Sequence, residues 1–410
     1  MAKVLVINAG SSSVKYYLYG MPEAKVLAHG TVDRVGQAES TLTHVCDDRT
    51  HTSQVAAPDV EAAMDLVCDT LVREGVGPLA DISEIDAVGH RVVHGGEEFT
   101  GSVPIDEQVI ASIERYADLA PLHNPPNLAG IRAMQHRLPD VKQVACFDTA
   151  FHATIPKVAY MYALPYELYE TFHIRRYGFH GISHRYVARR TATLMDRDKY
   201  DINAITCHLG NGCSITAVKD GHSIDTSMGF TPLEGVPMGT RCGDLDPAIL
   251  FYLGDKGHDP QSLNRLCNTE SGLLGLSGLS NDIRSLLQLS RDGDKRATLA
   301  IDVFCYRIRK YIGAYAAVLE PLDAIVFTGG IGENATRLRR QICTGMSQLG
   351  VLFDPGVNET AVAKETEISR AHSPVKVFVI PTNEQLAIAR DTYELTAKKN
   401  SPTLCGTRSG

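Results

Sequence analysis

The chain has 410 residues, 44% of them hydrophobic and 21% charged, the make-up of a globular protein of two or three domains. Its 40 basic residues are outnumbered by 48 acidic ones, for a formal net charge of −8. That balance argues against broad binding to nucleic acid or to anionic membrane, and leaves room for an anionic small substrate in a locally positive cleft. The ten cysteines are scattered without a CxxC pair and are expected as reduced thiols in a cytoplasmic protein. No segment reaches the ~20 apolar residues that a membrane span requires, and Val4–Ile7 is too brief for the core of a signal peptide.

Val4-Leu5-Val6-Ile7 reads as a buried strand ending in a Gly/Ser turn, Asn8 to Ser13, with a second strand at Val14–Tyr19. Strand patterns recur around 41–56. Apolar spacing at Val60, Ala63, Met64, Val67 and Leu71 predicts a helix over 59–74. A strand near Ala87–Val93 leads into His94-Gly95-Gly96, helices follow near 106–118 and 127–138, and Val141–Phe147 is a strand stopping at Asp148. The second half replays this order. Ala204–Cys207 is a strand, His208–Gly212 a glycine turn, Ser214–Val218 a returning strand and His222–Thr226 a third. Helices are expected near 246–254, 259–268, 281–290 and 295–319. The strand Ala324–Phe327 runs into a loop, Thr328–Asn334, and then a helix. Val375–Ile380 is the last strand and Glu384–Ala397 the last helix, followed by a polar tail. Two halves that each open with strand, glycine turn and strand suggest two similar α/β domains facing across a cleft.

Several nucleotide motifs are missing. No Lys is followed by Ser or Thr, so a P-loop is excluded, and there is no GxSxG elbow. Gly329-Gly330-Ile331-Gly332 lacks the third glycine of a dinucleotide fingerprint. What remains is three glycine loops. In Asn8-Ala9-Gly10-Ser11-Ser12-Ser13-Val14-Lys15, backbone N–H groups, three hydroxyls and Lys15 could cradle phosphate oxygens, although an ordinary hairpin turn uses the same residues. His208–Gly212 and Gly329–Asn334 add to it, since glycines let the backbone approach a ligand and a following helix N-terminus favours an anion. Together they suit a nucleotide.

Arg91 and Arg241 each stand among glycines at an apparent strand or loop end, where a guanidinium suits carboxylate or phosphate; a surface ion pair is the plainer alternative for either. His180 and His184 have the i, i+4 spacing of a zinc pair, without the Glu of HExxH and with Gly181 suggesting a helix that starts after His180. Asp148 and Glu384, at a strand end and a helix start, fit either a role at the helix dipole or Mg²⁺ held against phosphates.

Read together, these segments resemble the acetate kinase family. The matching stretches are Asn8–Lys15 with its strand, His90-Arg91-Val92-Val93-His94-Gly95-Gly96, Ala120–Pro125, Phe147–His152, Tyr177–Gly181, His208–Gly212, Met238–Asp244, Ser280–Arg284, Thr328–Asn334 and Thr382-Asn383-Glu384. The likeness runs from about residue 3 to residue 396. It implies two duplicated ribonuclease-H-like α/β domains facing across a nucleotide cleft, one holding 1–150 plus 385–410 and the other 151–384. It implies ATP + acetate ⇌ ADP + acetyl phosphate with Mg²⁺ or Mn²⁺, direct in-line transfer, and a homodimer. By resemblance, Asn8 and Glu384 are the metal-associated pair. Lys15, His208, Leu209, Gly210, Asn211, Gly212, Asp282, Ile283, Arg284, Gly330, Ile331, Gly332, Glu333 and Asn334 are nucleotide contacts. Arg91 meets the acetate carboxylate, and Val93, Leu122, Phe179 and Pro232 its methyl group. Asp148 is the family's catalytic carboxylate; His180 and Arg241 stabilise the transition state. The alternatives carried forward are a propionate or butyrate kinase of the same family and a non-kinase ATPase of the same fold.

Overall fold

Val4, Leu5, Val6 and Ile7 are buried on both faces of their strand, as a continuous apolar run requires at the centre of a covered sheet. The computed structural model describes residues 1–121 and 123–397. The chain separates into two compact units: Met1–Ala150 with the chain from Asn383 on, and Phe151–Thr382. Asn383 and Glu384 thus go with the first unit, two residues earlier than the expected boundary.

The first unit runs β1 (Ala2–Ala9), β2 (Ser13–Met21), β3 (Lys25–Asp33), β4 (Ser40–Cys46), β5 (Arg49–Val55), α1 (Val60–Leu71), β6 (Ala87–Val92), β7 (Val103–Pro104), α2 (Glu107–Arg115), α3 (Asn124–Arg137) and β8 (Lys142–Phe147), and takes in the last helix, Glu384–Ala397. Its sheet order is β5-β4-β3-β2-β1-β6-β8-β7. β1, β2 and β3 are antiparallel neighbours, whereas β6 joins β1, and β8 joins β6, in parallel. α1 begins where Asp59 accepts from the Ala62 N–H, a cap worth about 1 kcal/mol. Its stripe of Val60, Ala63, Met64, Val67 and Leu71 is buried in one cluster with Leu5, Ile7 and Leu18.

The second unit runs α4 (Lys157–Tyr160), α5 (Tyr166–Phe172), α6 (Gly181–Leu194), β9 (Ala204–Leu209), β10 (Cys213–Lys219), β11 (His222–Thr226), α7 (Ala248–Asp255), α8 (Pro260–Thr269), α9 (Gly272–Ser277), α10 (Ile283–Arg291), α11 (Lys295–Val318), β12 (Ala324–Thr328), α12 (Gly329–Asn334), α13 (Thr336–Cys343), α14 (Pro355–Thr360), β13 (Thr366–Glu367) and β14 (Lys376–Val379). Its sheet order is β11-β10-β9-β12-β14-β13. β9, β10 and β11 are antiparallel, and β12 and β14 extend the sheet from β9 in parallel. α11 buries Ala297, Ala300, Ile301, Phe304, Ile308, Ile312 and Tyr315, the spacing of one helical face.

Each unit is therefore built on the same five strands, three antiparallel and two parallel. This is the ribonuclease-H-like plan, present twice. One expectation needs correcting: Gly329–Asn334 is not a loop before a helix but is itself a short helix, α12. No described helix is long and apolar enough to cross a membrane.

Candidate active site

The first unit gathers Asn8, Lys15, Arg91, Asp148 and Glu384 at the ends of its central strands, where open α/β sheets bind ligands. Asn8, next to last in β1, faces Lys15 across the β1–β2 hairpin, whose turn is pinned by Gly10 N–H donating to the Ser13 carbonyl at 2.8 Å. Arg91, on β6, grips Asp148 with two parallel bonds, Nε to Oδ1 at 3.1 Å and Nη2 to Oδ2 at 2.5 Å. Its Nη1 lies 3.5 Å from Asn8 Oδ1. Asp148 directly follows β8, is 1% exposed, and donates its own N–H to the Val92 carbonyl. Burial works against the Arg91 charge, but Asp148 and Glu384 outweigh it and hold the guanidinium protonated. Burial likewise raises the Glu384 carboxyl; Arg91 opposes that, Asp148 adds to it, and Lys15 opposes it.

The turn after β6 is held by side chains. Asn127 accepts from Val93 N–H and donates to the Ala9 carbonyl, while Thr149 accepts from Gly95 N–H. Val93 is itself buried. Leu122 lies outside the described residues.

Asn8 Oδ1 and the Glu384 carboxylate are the hard oxygen donors that a divalent cation of the magnesium type takes. Among the described residues no three His, Cys, Asp or Glu side chains gather closely enough to hold a metal by themselves. The pair fits a cation that keeps most of its waters. A cation there would offset the cost of an ionised Glu384 beside Asp148.

In the second unit a cavity of about 780 Å³ is lined by Gly210, Asn211, Asn281, Asp282, Ile283, Arg284, Leu287, Gly330, Ile331, Asn334 and Ala335. Three separate expected nucleotide segments thus meet around one space of a size that suits a nucleotide. Gly329 makes the turn into α12 at φ +76°; a Cβ there would come 2.7 Å from the Leu209 carbonyl oxygen. Asp282 caps α10 and is held below the usual carboxylate range by the Arg284 side chain first and its N–H second. Arg339, fully buried, donates to the Gly332, Asn358 and Ala361 carbonyls and to Asn358 Oδ1, so α12 is tied down from behind.

Not every expected contact faces that cavity. Gly332 and Glu333 do not line it; Glu333 accepts from the Gly329 and Thr382 N–H groups instead. Leu209 is buried. His208 stacks on His180 at 4.3 Å between ring centroids and pairs through Nδ1 with Ser183 Oγ at 2.8 Å. Lys15 belongs to the first unit.

At the other side of the β9–β10 hairpin, His180 and Arg241 converge. A methyl group placed on Gly212 would lie 3.5 Å from both His180 Nε2 and Arg241 Nη1. Arg241 donates to the Pro232 carbonyl at 3.2 Å and approaches Met238 Sδ, and among the described residues no carboxylate pairs with it. Burial lowers its pKa, with only Cys213 acting the other way. A half-buried guanidinium without a counter-ion is a site for an anion. Phe179, expected at the methyl pocket, is 2% exposed and gives its carbonyl to His152.

Asn281 and Leu287 were not among the expected site residues. The signal for Asn281 was present, since it adjoins Asp282 in the same motif; Leu287 reaches the cavity one turn into α10, where sequence alone shows only an apolar helix position.

The family model described as the acetokinase family matches residues 3–390. The chain belongs to the acetokinase family. It is 53% identical over 354 residues to an acetate kinase of Halothermothrix orenii, covering 86% of this chain and 89% of that one. An acetate kinase of Thermotoga maritima is 52% identical over 354 residues, covering 86% and 88%. Among solved structures, Porphyromonas gingivalis acetate kinase superposes with a TM-score of 0.93 at 45% identity, covering 96% of this chain and all of that one. A propionate kinase from Francisella tularensis superposes with a TM-score of 0.90 at 41% identity, over 96% and 100%. As a member of the acetokinase family the chain is a phosphotransferase whose acceptor is a carboxyl group.

Proposed function

We propose that this protein transfers the γ-phosphoryl group of ATP to acetate, reversibly, giving acetyl phosphate and ADP with Mg²⁺. Acetate is ionised at neutral pH, as a carboxylic acid of pKa ~4–5 must be, so the nucleophile needs no general base. The task is to bring one anion to another and hold both in line.

Asp148 suits that task as a holder of Arg91 rather than as a base, because both its oxygens accept from the guanidinium. Arg91, so oriented, receives the acetate carboxylate, with buried Val93 two residues along the same chain segment beside its methyl group. Gly210, Asn211, Asp282, Ile283, Arg284, Gly330 and Asn334 hold the nucleotide. Arg241 and His180 take the charge that builds on the transferring phosphoryl. Asn8 and Glu384 would hold Mg²⁺, which would supply charge neutralisation for the phosphates.

The observation that carries this reading is Arg241: a half-buried cation with no carboxylate partner among the described residues, beside His180 at Gly212, next to Gly210 and Asn211 of the cavity lining. The test is trapping of the acyl phosphate with hydroxylamine in the presence of ATP, Mg²⁺ and acetate, propionate or butyrate. Hydroxamate formed fastest with acetate supports the reading. A better kcat/KM with propionate moves the protein to the neighbouring specificity, and ATP loss without any hydroxamate ends the kinase reading.

We also propose a cytoplasmic homodimer. The described cysteines are free thiols, and Phe251 (74% exposed), Tyr252, Leu299 and Tyr306 (63%) are large side chains left open on α7 and α11. A monomer mass in sedimentation equilibrium at micromolar protein would reject the dimer.

A further inference from the structure

The His180/His184 pair has the spacing of a metal site, but the structure gives it other work. His180 is not on the helix: it precedes α6 with φ +58°, and α6 starts at Gly181. Both rings reach one hydroxyl. Ser214 Oγ, on β10, lies 2.9 Å from His180 Nδ1 and 2.7 Å from His184 Nε2. The other nitrogen of His184, Nδ1, lies 2.7 Å from Thr206 Oγ1 on the neighbouring β9. Thr206, His184 and Ser214 are all fully buried.

The proton positions follow from counting donors. A buried hydroxyl hydrogen without an acceptor is costly, whereas an unused oxygen lone pair is tolerated. Among the described residues the Thr206 hydroxyl has His184 Nδ1 as its one side-chain or backbone partner, so its hydrogen goes there. His184 stays neutral, because burial, and then the nearby His152 and His208, push its pKa well below the ordinary imidazole range. With Nδ1 accepting, its single hydrogen sits on Nε2 and is donated to Ser214 Oγ. The Ser214 hydrogen is then left for His180 Nδ1. The reverse order would strand the Thr206 hydrogen.

We infer that Ser214 is a positioning residue: backed by His184 and Thr206, it makes His180 Nδ1 an acceptor and so fixes the hydrogen of the neutral ring on Nε2. That nitrogen borders the same space as Arg241 Nη1 above Gly212. The neutral imidazole therefore presents a donor, never a lone pair, to the phosphoryl oxygens. This inference rests on the phosphotransfer reading of His180 for its catalytic consequence, and on the hydrogen-bond chain alone for the tautomer.

The test uses the whole protein with ¹⁵N-labelled histidine. Long-range ¹H–¹⁵N correlation at pH about 8, where an ordinary imidazole is neutral, reads which nitrogen of His180 carries hydrogen. The expected result is Nε2–H in the wild type and loss of that preference in Ser214→Ala. With it, kcat falls about tenfold, the loss of one buried hydrogen bond, while KM for ATP and for acetate changes less than about twofold. Thr206→Val, which keeps shape and removes the first donor, shifts both readouts in the same direction. An Nδ1–H tautomer in the wild type overturns the proposal, whatever the variants do. So does an unchanged kcat in Ser214→Ala when His180→Ala is inactive. If His180→Ala keeps full turnover, the phosphotransfer role of His180 fails instead, and the wild-type spectrum still decides the tautomer.

Discussion

Arg91 and Arg241 look alike in sequence, each an arginine among glycines, and the structure separates them by what they touch. Arg91 has a buried carboxylate already in its grip; Arg241 has a carbonyl, a thioether and, among the described residues, no counter-ion. Their substitutions should therefore differ. Arg241→Ala is expected to lower kcat by about 10³-fold or more, with KM for ATP changed only a few-fold, since a phosphoryl-directed arginine acts in the transition state. Steady-state kinetics checks it, and turnover near wild type would remove Arg241 from the mechanism. Asp148→Asn loosens Arg91 and is expected to raise KM for acetate and lower kcat while leaving the Mg²⁺ dependence unaltered. Full rescue by excess Mg²⁺ would return Asp148 to a metal role. The positions of these residues were legible because glycine, strand ends and charge coincide in the sequence. Their partners were not: nothing local tells that Arg91 meets Asp148 across 57 positions, or that His180 and His184 share Ser214.

Among the helices, strong apolar periodicity coincides with the observed elements. The helices at 60–71 and 295–318, and the last helix at 384–397, fall where apolar spacing put them. Weak side-chain patterns and glycine-rich segments hide the rest. β3 escaped notice: Lys25–Asp33 has no clean alternation, and Gly30 interrupts it because a Cβ there would meet the Thr43 carbonyl oxygen. α12 reads as a loop in sequence since three of its six residues are glycine; the helix forms because Gly329 turns at positive φ and Arg339 and Glu333 anchor its backbone. Gly329→Ala should expose that dependence. It faces left-handed strain and a backbone clash together, so a loss of about 2 kcal/mol in denaturant unfolding is expected, with weaker ATP binding by calorimetry. Wild-type stability in that variant would show the turn to be more forgiving than its geometry says.

Over the whole molecule, buried histidines set a pH floor. Burial pulls His90, whose Nε2 pairs with the Gln143 amide oxygen, and His94 each to about 4. The unfolded chain would bind those protons from about pH 6.5 downward, so it holds more protons than the fold across that window and stability declines as pH drops. Each group accounts for up to about 3 kcal/mol, lost between roughly pH 6.5 and 4. Glu384, raised in the fold, works in the opposite sense, since its burden eases as acid protonates it. Urea midpoints measured from pH 7.5 to 4.5 check the balance; a flat profile would mean these imidazoles titrate normally. The doubled plan of strands was legible from two glycine hairpins two hundred residues apart, whereas the small strands β7 and β13 at the sheet margins carry too few residues to signal themselves.

That doubling distributes labour. The cavity proposed for the nucleotide is walled by residues of one copy alone, and the residues proposed to greet the acid, Arg91 and Val93, belong to the other. Selection for a bulkier or smaller acid can then rework one copy's strand ends without loosening the partner copy's hold on adenine nucleotide, which makes acceptor choice the cheaper trait to evolve.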